Sequence, residues 1–151
     1  MAADLRTILS RIARAVESVV PELSLRPQLA RAEWLADDAL GNETQPAASV
    51  GTDECATALG FEMQYRGEWL GAFERTSSGS DAERVQSVVL ELLSQVQDVV
   101  AEATTEPWPL VVVNGRKEMA MPNAAVEGER LHMWYGEAAA PVLRLPSVDL
   151  N

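Results

Sequence analysis

The chain has 151 residues, 47% hydrophobic and 23% charged, with 9 Gly, 8 Pro and a single Cys. That length and composition suit one folded domain, residues 1–151, with its own core. They exclude a disordered or fibrous chain, an intrachain disulfide, and a membrane helix, for which no apolar run approaches the ~18 residues needed. Twelve basic against 23 acidic residues leave a net charge of −11, which excludes a nucleic-acid surface, since that needs a clustered cationic face. The acid is concentrated mid-chain: residues 41–80 carry 2 basic and 6 acidic groups, and residues 81–106 carry 1 and 6.

Leu5, Ile8, Leu9, Ile12, Val16 and Val19 recur at three- and four-residue spacing and Pro21 stops the run, which predicts an amphipathic helix over residues 3–20. Arg6, Arg11, Arg14 and Glu17 break every stretch that a secretory signal would need, and Asp4 and Glu17 disfavour a transit peptide or a membrane-surface helix. The expectation is a packing helix in a cytoplasmic protein. Over residues 22–40, Pro27 suits a first helical turn, Leu29, Ala32, Leu35, Ala36 and Leu40 roughly keep helical spacing, and Gly41 suits a stop, so a short second helix is expected. Residues 41–53 read as a surface loop. The sequon Asn42-Glu43-Thr44 within it has meaning only in a secreted protein.

Residues 56–75 alternate as a hairpin. Phe61, Met63 and Tyr65 share one face of the first strand, and Trp69, Gly71 and Phe73 share one face of the next. A three-residue loop, Arg66-Gly67-Glu68, sets Tyr65 against Trp69, Met63 against Gly71 and Phe61 against Phe73, and buries both sets on one face. Ser80-Asp81-Ala82-Glu83 has the form of a capping box. Val85, Val88, Val89, Leu92, Val96, Val99 and Val100 then hold helical spacing up to Pro107, with Leu90 and Leu93 widening the stripe. This is a long helix over about 81–103, roughly 34 Å, lying across a sheet or between two layers. Strands follow at 110–113 and 118–121 around Asn114-Gly115, at 131–135 after a turn at Gly128, and at 142–145 between Pro141 and Pro146. The fold class is α+β: a mostly antiparallel sheet of five or six strands, one long helix, and an N-terminal helix packed on it.

Chemistry is sparse. No phosphate loop, nucleophile elbow, zinc-protease motif or calcium loop occurs. One His and one Cys cannot assemble a usual zinc site within the chain, so no metal and no cofactor is expected. Cys55 with His132 is the one nucleophile and base that composition permits, and nothing around either resembles a catalytic signature. Carboxylates at Asp37-Asp38, Asp53-Glu54, and Glu127 with Glu129 are most simply a solvated acidic surface.

The aromatic residues say more. Trp34, Trp69, Trp108 and Trp134 make up half of the eight aromatics. Trp108, between Pro107 and Pro109, is held stiff, which suits either a binding anchor or a plug sealing the end of the long helix against the sheet. Along 131–135, Leu131, Met133 and Tyr135 face one side while His132 and Trp134 face the other. Residues 110–113 (LVVV) likewise place apolar side chains on both faces. Helices on one face would leave Val111, Val113, His132 and Trp134 in want of another cover. The reading is a small acidic binding protein without chemistry, homodimeric or held by a protein partner through that sheet face, with no nucleic acid and no membrane. The alternative is a small-molecule-binding domain or ligand-processing enzyme with a pocket between helix and sheet, lined by Trp69, Trp108 and Trp134.

Overall fold

The computed structural model describes residues 3–31, 57–75 and 78–151. Asp4 caps the first helix, α1 (Leu5–Glu17), by accepting a hydrogen bond from the Thr7 N–H at 3.0 Å. Its expected stripe is buried at Ile8, Leu9, Ile12 and Val16. On its other side the Arg11 guanidinium donates to the Asp149 and Asn151 carbonyls.

The chain then departs from expectation. Residues 23–31 form a strand, β1 (Leu23–Arg31), rather than the start of a second helix. Leu23 and Leu25 are buried while Ser24 and Arg26 are exposed, a period of two that outweighs the looser helical spacing. Pro27 is tolerated because β1 is an edge strand. The rest of that expected helix, the loop with its sequon, Trp34, Cys55 and the carboxylates at 37–38 and 53–54 lie outside the described residues.

β2 (Thr57–Tyr65) pairs antiparallel with β1 and with β3 (Glu68–Arg75), giving a three-stranded sheet. The register corrects the expected turn. Arg66 (φ 55°) and Gly67 (φ 82°) make a two-residue turn of the left-handed kind whose twist matches a hairpin, so Tyr65 lies opposite Glu68 and Gln64 opposite Trp69. A bulge at Leu70 then absorbs one residue and restores Met63 opposite Gly71 and Phe61 opposite Phe73, whose rings sit 6.1 Å apart. Trp69 therefore lies on the opposite face from Tyr65 and is 64% exposed. That outer face is otherwise polar, with Ser24, Gln64 and the cross-strand pair Arg26 and Glu62.

The second helix, α2 (Asp81–Thr104), opens with the expected capping box: Ser80 Oγ accepts from the Glu83 N–H at 3.2 Å and the Glu83 carboxylate accepts from the Ser80 N–H at 2.7 Å. It ends at Thr105 in the left-handed region. After it come β4 (Leu110–Val113), β5 (Arg116–Met119), β6 (Pro122–Glu127), β7 (Arg130–Glu137), β8 (Ala140–Arg144) and β9 (Val148–Asp149). All the pairings are antiparallel, as the α+β class requires, with short meander connections. The described strands are shared among three sheets, however, rather than gathered into one of five or six: β1-β2-β3, the β4-β5 hairpin, and β6-β7-β8 with β9 beside β7.

Both described helices serve both larger sheets. α1 packs on β1 and β9, and α2 packs on β2 and β3 of the first sheet and on β6 of the second. Val85, Val88, Val89, Leu92, Leu93, Val96 and Val100 are buried along α2, in one continuous core with Phe61, Met63, Leu131, Met133 and Tyr135. Three hydrogen bonds tie α2 to the second half of the chain: Gln86 Nε2 to the Ala124 carbonyl, Gln97 Nε2 to the Ala120 carbonyl, and Tyr135 Oη to the Leu93 carbonyl at 2.7 Å. Among the described residues, no helix is long and apolar enough to cross a membrane.

Leu92 has no solvent exposure, so Leu92→Ala should cost about 2–5 kcal/mol in urea unfolding, whereas Ser80→Ala, which removes only a cap, should cost about 1 kcal/mol. Equal losses would place Leu92 outside the core.

Candidate functional site

The inner face of the second sheet is spent on α2: Leu131, Met133 and Tyr135 are buried there, and Ala124 lies beside Met133 on β6. The intervening residues of β7 therefore point outward, as expected, with Asn123 opposite Trp134 and Ala125 opposite His132. The β4-β5 hairpin stands over one end of this outer face. Asn114 (φ 51°) and Gly115 (φ 78°) form its turn, which pairs Val113 with Arg116 and starts the return strand two residues earlier than expected.

Between the hairpin and the outer sheet face runs a cleft of about 750 Å³. Val111 and Val113 form one wall and Trp134, Asn123 and Val142 the other, with Met119 and Met121 along the connection and Glu118 and Glu137 among the polar lining groups. Asn123 is held by its own amide, which donates to the Gly136 carbonyl at 2.8 Å and to the Met121 carbonyl at 3.2 Å. The Trp134 indole Nε1 is shielded from solvent and has no acceptor among the described residues. Val113, Met119, Met121 and Val142 are exposed, Met121 at 71%. This is a contiguous apolar surface rather than a scatter of single residues.

Three of the six residues singled out in the sequence, Val111, Val113 and Trp134, thus meet in one place. The other three do not join them. His132 shares the outer face with Trp134 but lies in a separate depression of about 420 Å³ with Glu127, Glu129, Arg130 and Asp149. There its Nε2 is 3.8 Å from Glu127, an ion pair only when the imidazole is protonated. Both glutamates are exposed, and Glu129 accepts a hydrogen bond from the Asn151 amide. Trp108, preceding a cis peptide bond to Pro109, is partly buried and sets its ring edge-on to Tyr135 at 5.3 Å, which makes it a core plug rather than an exposed anchor. Trp69 is on the first sheet's solvent face. The three tryptophans therefore do not line one pocket between helix and sheet.

Asn123, Met119, Met121 and Val142 went unremarked in the sequence. Val142 has a specific cause: Tyr135 pairs with Leu143 but Gly136 pairs with Pro141, so Val142 is the extra residue of a bulge. Gly136, at φ 101°, permits it, and a Cβ there would meet Val142 at about 3 Å. No group of three or more His, Cys, Asp or Glu placed to hold a metal occurs among the described residues. No protein-family model matches the chain, and no match to a curated protein or to a solved structure was found.

Burial, reinforced by the Asp98 carboxylate, raises the pKa of the Tyr135 phenol well above its ordinary value. A raised pKa in the folded state means that the stability it contributes is complete below the unfolded value of about 10 and is lost as pH rises beyond it. Urea unfolding between about pH 9 and 11 should show the wild type losing stability more steeply than Tyr135→Phe. At neutral pH the variant should be weaker by about 1 kcal/mol, the worth of its hydrogen bond to Leu93.

Proposed function

We propose that this protein is a non-catalytic binding protein whose contact surface is the apolar cleft between the β4-β5 hairpin and the outer face of β6, β7 and β8. One observation carries the reading: Val113, Met119, Met121 and Val142 stand exposed together around Trp134, on a chain whose other sheet presents a mainly polar outer face. Apolar surface of this kind in a soluble protein marks a place where something docks. Trp134 is a suitable anchor, a broad and rigid aromatic surface among the lining residues of the cleft. The absence of a shaped set of acids, bases or nucleophiles in the cleft favours docking over a reaction, since the carboxylates there are Glu118 and Glu137, both exposed. A small apolar molecule is the second reading, favoured by the cleft's volume of about 750 Å³, which lies within the range of ordinary ligand pockets.

Native mass spectrometry of the purified chain separates these readings, because it reports subunit number and any retained small molecule in one measurement. Trp134→Glu should weaken assembly, or ligand retention, by about tenfold or more while shifting the thermal midpoint little, since Trp134 lies outside the buried core. If assembly is of like chains, the −11 charge opposes it at long range. Association should then strengthen between about 10 and 150 mM salt as the Debye length shortens from about 30 to 8 Å. A cleft variant that assembles and retains ligand like the wild type would remove the basis of the proposal.

A further inference from the structure

We propose that a second copy of this chain pairs with the free edge of β4, joining two β4-β5 hairpins into one four-stranded antiparallel sheet about a two-fold axis at Val112. This deepens the binding reading above and rests on it.

The backbone supplies the first support. Val113 and Arg116 flank the two-residue turn, and the Ala120 N–H donates to the Pro109 carbonyl. In an antiparallel ladder the inward-bonding residues alternate, so residues 109, 111 and 113 direct their polar backbone groups at β5. Leu110 and Val112 direct theirs away from it, and among the described residues their N–H and C=O groups have no strand to meet. An isolated two-stranded hairpin is marginal in water, and this one has every residue of β5 exposed. Adding a strand at β4 satisfies that edge.

Register is the second support. Placing Val112 opposite the second copy's Val112 makes them a mutually hydrogen-bonded pair and sets Val111 opposite the second copy's Val113, twice over by symmetry. Every opposed pair is then apolar until Leu110 meets Asn114. Shifting by one residue would oppose inward-bonding to outward-bonding groups and forfeit the ladder.

Charge is the third. Residues 107–115 carry no charge, in a chain of net −11, so like charges are not brought together at the seam. On the cleft face each row would run Glu118, Val111, the second copy's Val113, the second copy's Arg116, with opposite signs at its two ends. Edge strands that avoid pairing usually carry a lysine, a proline or a bulge, and β4 has none of these.

The test uses the full chain. Wild type should sediment as a dimer at tens of micromolar, and Val112→Lys, which sets two ammonium groups face to face at a 61% exposed position, should weaken the dimer by about tenfold or more while leaving the thermal midpoint unchanged at a dilution where both chains are monomers. In a Cys55→Ser background, Val112→Cys should oxidise to a covalent dimer, since opposed Cα atoms in such a pair lie about 5.5 Å apart. Leu110→Cys should not, because the two copies of residue 110 would be offset by about 13 Å along the strands. A wild-type monomer, a dimer indifferent to Val112→Lys, or equal cross-linking at 110 and 112 overturns the edge pairing. In each of those cases the response of ligand or partner retention to Trp134→Glu separately decides whether the cleft is a binding surface.

Discussion

Everything else in this molecule depends on α2 being shared. Its broad apolar stripe, with buried side chains from Val85 to Val100, packs on the first sheet through β2 and β3 and on the second through β6. Gln86, Gln97 and Tyr135 then fix how it sits on the second half of the chain by hydrogen bonds that water cannot replace once the site is closed. With α1 also packing on both sheets, the described helices consume the inner face of each, and among the described residues no helix packs on the outer faces. The first sheet meets that exposure with polar side chains and one exposed tryptophan, Trp69. The second meets it with Trp134, and the hairpin beside it with valines and methionines.

Much of this was legible in the residues. A three-to-four spacing and a complete capping box define α2 almost to the residue, whereas for α1 the spacing predicts 3–20 and the helix is Leu5–Glu17, with Asp4 as its cap rather than inside it. Alternation also gave the correct faces of β7, and from them the insight that 110–113 and 131–135 present apolar side chains on two sides. Periodicity states which face a residue occupies, though, and not which sheet its strand joins. That is why Trp69, Trp108 and Trp134 could be imagined around one pocket when they occupy three separate surroundings.

The errors share a cause. At β1 a helical reading of Leu29 onward overrode the plain alternation of Leu23, Ser24, Leu25 and Arg26. In the β2-β3 hairpin and again at Gly136, the assumption of an unbroken ladder failed at a bulge. A bulge costs one ladder position and has no apolar signature of its own, so it is invisible to pattern counting. Both bulges leave a large aliphatic side chain, Leu70 and Val142, exposed. In the second case that displacement places Val142 in the cleft wall, so the irregularity that sequence reading could not see contributes directly to the candidate site.

The tie between α1 and β9 bears on how the chain is made. On a ribosome the helix emerges well over a hundred residues before Asp149 and Asn151, which accept from its Arg11 (sequence separations 138 and 140). β1 follows α1 closely and covers part of its apolar stripe early, but the fully buried Val16 and Ile12 belong to a core that also needs Leu131, Val148 and Leu150. A nascent chain therefore carries an incompletely covered helix until those residues have emerged, and covering it requires contacts distant in sequence, which close slowly. During that interval its apolar stripe is exposed surface of the kind that makes partly folded chains prone to aggregate.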